Sequence, residues 1–132
     1  MRKPIDGFDP RLTTLPKSLG PNRVVWAIQI FLAFAFGAAG AAKLIGVAPM
    51  VDLFDQIGFG QWFRYVTGGI EVGSALLLLS VRTAWVAGVF LACIMIGAVL
   101  VHIFVVPSPP IGPLVLGALA TTITFKRRPF LS

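Results

Sequence analysis

The sequence predicts an all-α fold. Four transmembrane helices form a bundle with both termini cytoplasmic, and a short amphipathic interfacial helix sits between spans 1 and 2. Three observations carry this. Hydrophobic residues make up 57% of the 132 and charged residues only 12%, against about 25% charged in a soluble domain. Four long apolar runs succeed one another along the chain. Nine of the eleven basic residues fall at the chain ends or in one short connection, which is how a topology signal is distributed. The formal net charge of +6 therefore does not point to nucleic acid. No basic surface interleaved with aromatics is left for one to track.

Three regions follow: a proline-spaced cytoplasmic tail at 1–23, a four-helix membrane domain at 24–128 and a short C-terminal tail at 129–132. Pro4, Pro10, Pro16 and Pro21 oppose a regular helix, so the tail reads as a disordered segment or as an arm that lies along a partner. Residues 24–45 form span 1, roughly 33 Å as a helix, enough to cross a bilayer. Ala39-Gly40-Ala41 resembles a signal-peptidase site, but the run exceeds the roughly 7–15 residues of a cleavable apolar region, so the helix is retained.

Residues 46–61 hold the amphipathic element. Met50, Leu53, Phe54 and Ile57 recur at helical spacing, while Asp52, Asp55 and Gln56 point elsewhere. Pro49 suits its first turn, and Gly58 and Gly60 end it. Span 2 covers 62–80, opened by Trp62, Arg64 and Tyr65, as an interfacial belt is. After a turn at 81–83, span 3 covers 84–106. Pro107-Ser108-Pro109-Pro110 is a rigid connection. Span 4 covers 111–125 and is short, but Lys126, Arg127 and Arg128 can snorkel and the bilayer can thin.

With four spans both termini share a side. That side holds Arg2, Lys3, Arg11, Lys17, Arg23, Arg82, Lys126, Arg127 and Arg128, so it is cytoplasmic. The other side holds Lys43 and Arg64 beside Asp52 and Asp55. This orientation brings the ionisable residues of three spans to one level: Lys43 closing span 1, Arg64 and Glu71 in span 2, and His102 closing span 3. Arg64 and Glu71, seven apart, share a helix face. Lys43, Arg64, Glu71 and His102 are thus expected to converge in the outer half of the bundle.

Each has a plainer reading beside the functional one. Lys43 and Arg64 fit interfacial anchors. Glu71, about 10 Å below Arg64, is costly in the membrane unless paired or protonated, so it reads as a structural ion pair or as a proton or ligand site. His102 fits a hydrogen-bonded packing residue. Gln29 is expected to hydrogen-bond across the bundle. Gly69 and Gly73 form a GxxxG that can mark a second packing contact.

The chemistry left open is narrow. One histidine cannot make a bis-His haem site, and no His, Cys and carboxylate cluster has metal-ligand spacing. Cys93 stands alone, so dithiol exchange within the chain is excluded. No residue is assigned as catalytic, and no intrinsic cofactor is read from the residues.

Several stretches resemble one family. Residues 36–44, FGAAGAAKL, resemble the F-x-x-x-G-x-x-K-L that closes the first helix of DoxX-like membrane proteins. Residues 69–75, GIEVGSA, resemble their G-x-E-x-x-(G/A)-A, here followed by Leu76–Leu79. Residues 97–102, GAVLVH, resemble the G-A-x-x-x-H of their third helix. The amphipathic loop ending in Ile57-Gly58-Phe59 is similar in place, and the likeness covers roughly 24–128. It implies a small four-helix protein of the bacterial inner membrane, in a family associated with quinone-linked sulfur oxidation and membrane redox assemblies.

Joined to the residues, this gives an expectation of a non-catalytic accessory subunit. Its partners are the lipid bilayer and other membrane-protein subunits, with the tail prolines at a partner contact. The alternative is a quinone-interacting oxidoreductase component exchanging protons through Glu71 and His102, with quinone as the cofactor. A small proton-coupled transporter using Glu71 comes third.

Overall fold

The structure, a computed structural model, describes residues 19–129. Among the described residues there are five α-helices and no strand. Four are long: α1 (Leu19–Ile45), α3 (Gln61–Leu77), α4 (Ala84–Phe104) and α5 (Ile111–Arg127). The short α2 (Ala48–Ile57) joins α1 to α3. α1 packs chiefly on α3 and α4 chiefly on α5, and thinner α3–α4 and α1–α5 seams close the four into a ring.

Neighbours run antiparallel. Lys43, near the end of α1, meets Glu71 of α3, while Gln29, near the start of α1, reaches Leu78 just past the end of α3. Met95 of α4 faces Gly117 of α5, and Gly88 lies against Thr124.

The boundaries shift slightly from the sequence expectation. α1 begins at Leu19, ahead of residue 24. Pro21 falls in the first helical turn, where a missing N–H costs no bond. Pro4, Pro10 and Pro16 lie outside the described residues, as do residues 130–132. α3 stops at Leu77 rather than Ser80, α4 ends at Phe104, and α5 continues to Arg127. α2 is the expected amphipathic element: Pro49 lies in its first turn and Gly58, with a left-handed φ of 85°, caps it. Phe54 is its one buried residue, packed edge-on to Phe63 of α3 with ring centroids 5.8 Å apart.

The core is a single cluster around Leu32, Phe36, Leu78, Leu91 and Ile123. The outside is apolar as well: Phe34, Ile45 and Phe104 are each nearly four-fifths exposed. A soluble monomer does not show so continuous an apolar surface. Among the described residues two helical segments, Arg23–Ile45 and Ala84–Phe104, are long and apolar enough to cross a membrane, with mean hydropathies of 2.0 and 2.6.

Glycine sets the closest seam. A Cβ at Gly40 would stand 2.8 Å from the Gly68 carbonyl oxygen, and one at Gly68 2.9 Å from Lys43 Cβ. α1 and α3 approach so closely because both positions lack a side chain. The GxxxG of Gly69 and Gly73 is not a packing contact here. Both are exposed with nothing within 4 Å of where a Cβ would be, because Gly68 and Glu71 already take the face of α3 that meets α1.

Candidate functional site

The site begins where α1 ends. Gly46 has φ 79°, a value glycine reaches without strain, and it stops the helix. The N–H groups of Gly46 and Val47 both bond the Ala42 carbonyl, at 3.1 and 3.2 Å. The next carbonyl, that of Lys43, is one of those a helix end leaves without a backbone partner. Arg64 takes it: its Nη1 donates to the Lys43 oxygen. A guanidinium there also meets the negative end of the α1 dipole. Arg64 is therefore buried, at 5% exposure, as a cap brought from another helix.

Arg64 is itself held. Its Nε donates to Gln61 Oε1 at 2.7 Å. Gln61 Nε2 donates to Asp55 Oδ1 at 2.7 Å and to the Val51 carbonyl at 3.1 Å. The guanidinium also lies over the Tyr65 ring, 4.3 Å from its centroid. A polar chain thus runs from exposed Asp55 on α2, through α3, to the end of α1.

Lys43 turns its ammonium the other way, onto Glu71. Nζ donates to both carboxylate oxygens, at 2.8 and 2.7 Å. The Glu71 side chain is 2% exposed and that of Lys43 14%. Two opposite charges this far from water are tolerable only together, since either alone would be an uncompensated buried ion. Chemically, the arrangement holds α1 to α3 by a bidentate ion pair and closes α1 with a cap.

Of the four residues expected to converge, the structure joins three: Lys43, Arg64 and Glu71. The fourth, His102, is not in the hydrogen-bonded network. Its Nδ1 donates to the Ala98 carbonyl of its own helix at 2.8 Å. The reason lies in the packing: α3 gives its polar face to α1, and its seam with α4 is thinner. Among the described residues no group of three or more His, Cys, Asp and Glu is placed to hold a metal.

A second buried polar group lies at the opposite end. Gln29, fully buried, donates from Nε2 to the Leu78 carbonyl at 2.7 Å, as expected of a cross-bundle bond. Its Oε1 accepts from Arg127 Nε at 2.7 Å. Arg127 in turn lies over the Trp26 ring, 5.5 Å from its centroid. The sequence pattern marks Arg127 only as a topology and snorkelling residue and gives Gln61 no role. Gln61 carried a legible signal, three residues before Arg64 at a spacing where helical side chains meet. The Gln29–Arg127 contact, 98 residues apart, carried none.

The profile of the DoxX-like family matches residues 27–123, well over half of the chain. The chain belongs to the DoxX-like family. No curated protein and no solved structure matches it. The matched segment includes all four candidate polar residues of this DoxX-like protein and stops short of Lys126, Arg127 and Arg128 at the end of α5. Family membership, together with two helices able to cross a bilayer, points to a membrane protein.

Proposed function

We propose that this DoxX-like protein crosses the bacterial inner membrane four times with both ends in the cytoplasm. In this reading it serves as a non-catalytic accessory subunit of a redox, quinone-linked membrane assembly. The supporting observation is that the polar cluster is closed on itself. Lys43 spends its ammonium on Glu71, and Arg64 spends its guanidinium on the end of α1 and on Gln61. Charges used this way fix helices in place rather than receive a substrate.

The shorter helices fit the four-span reading. α3 and α5 have 17 residues each, about 25 Å, a length that local thinning and snorkelling accommodate. The redox setting and the partner contact of the proline-spaced tail rest on the family likeness and on composition.

Purification of the full chain from its native membrane in mild detergent tests this. The expected result is co-elution with other subunits, lost when residues 1–18 are deleted. Elution as a lone chain would overturn the subunit reading.

One observation favours a second reading. A carbonyl only accepts, so the bond from His102 to Ala98 uses Nδ1–H as its donor and leaves Nε2 as the ring nitrogen outside that bond. A quinone oxygen approaching from the α4 side would meet it. That reading requires quinone reduction or binding that Glu71→Gln and His102→Ala each abolish, and it fails if both variants retain it.

A further inference from the structure

We infer that the end of the bundle opposite Glu71 carries a binding site for a phosphate group, whether on an anionic lipid headgroup or free in solution. A cavity of about 330 Å³ opens between the α3–α4 turn and the end of α5. That volume is within the range of small-ligand sites, about 300–1,000 Å³. Four of its six described lining residues are cations, Arg82, Lys126, Arg127 and Arg128, and none of the six is acidic.

Like charges gathered on one cavity repel one another and favour an anionic occupant. Among the described residues no carboxylate is placed to fill it. Asp52 and Asp55 flank the other end of the bundle and Glu71 is already paired. Asp6 and Asp9 sit in residues 1–18 with Arg2, Lys3, Arg11 and Lys17, a segment with no net negative charge to offer.

Arg127 is the second, independent observation. Its Nε is tied to fully buried Gln29, and its guanidinium rests on Trp26. Its Nη2 is buried and, among the described residues, has no hydrogen-bond partner. A charged donor left unsatisfied away from water is costly, and a shift of the guanidinium that brings Nη2 to an acceptor oxygen in the cavity removes that cost. Because Gln29 and Trp26 already fix the side chain, little ordering is needed on binding. A guanidinium fork matches phosphate oxygens in pairs. Arg82, Lys126 and Arg128 are exposed at the rim, placed to neutralise the remaining charge. Exposed Leu79 and Phe125 flank the same end, so an acyl chain has an apolar surface to lie on.

The test uses the full chain in a neutral detergent, with binding read by native mass spectrometry during titration of phosphatidylglycerol, phosphatidylcholine or inorganic phosphate. Phosphatidylglycerol is expected to bind at least tenfold more tightly than phosphatidylcholine. Arg82→Gln and Lys126→Gln should each weaken it about fivefold. Arg23→Gln removes an exposed base at the same end that does not line the cavity and should change binding less than twofold. If millimolar inorganic phosphate displaces the lipid, the site takes phosphate itself. If it does not, the headgroup of a lipid is the source. Equal binding of the two lipids would overturn the proposal. So would an Arg23→Gln effect as large as that of Arg82→Gln, which would mean a diffuse surface field rather than a site.

Discussion

Lys43 and Glu71 each lose hydration that only the other replaces, and this asymmetry is measurable. Lys43→Met leaves a carboxylate buried without its counter-ion and should cost about 3–5 kcal/mol. The double variant Lys43→Met, Glu71→Met removes both charges and should recover most of that. Reversible unfolding in detergent, read as a double-mutant cycle, checks it. Small and additive single effects would show that the pair holds nothing. That these residues share a level was legible before the structure, but not which cation Glu71 takes. Arg64 and Glu71 share a helix face, and an antiparallel neighbour brings Lys43 to their level. The role of Arg64 as a cap was not legible, because it depends on which backbone carbonyl at the end of α1 is left over. That follows from the left-handed turn at Gly46, a feature of backbone geometry rather than of residue pattern. That His102 bonds within its own helix was not legible for a related reason. Depth along a helix can be counted from sequence, but the rotation of α4 about its own axis is set by packing against α5.

At the scale of elements, the α1–α3 seam depends on two glycines. Gly40→Ala would place a methyl 2.8 Å from a backbone oxygen of Gly68, and a backbone atom can yield only by moving the helix. The expected result is a loss of about 1–3 kcal/mol, as overpacking typically costs. Gly73→Ala meets open space and gains helix propensity, so it should be neutral or slightly stabilising. Thermal unfolding in one detergent compares the two directly. The sequence shows small residues on several faces of α3 and cannot rank them. Only the partner helix decides that Gly68 is a contact while Gly69, one residue on, is not. Element number and order were readable because apolar runs bounded by proline, glycine and charge leave little freedom. The exact ends, such as α1 starting at Leu19, depend on local capping.

At the scale of the molecule, the proposed four-span topology separates the connections into two sets. In a Cys93→Ser background, Gly58→Cys and Ser108→Cys should react with a membrane-impermeant thiol reagent from one side, and Ser80→Cys only from the other. Labelling of all three from one side would refute the topology. The bundle also constrains how the protein comes to exist. The cap and counter-ion of α1 both come from α3, so α1, synthesised before α3, is chemically incomplete until α3 follows. Its ammonium and its last carbonyls must stay near water until α3 has been synthesised and has turned back. In the proposed four-span topology, biogenesis therefore hinges on the pairing of these two helices at the insertion machinery. An α1 that moved into lipid alone would carry an unpaired cation into hydrocarbon.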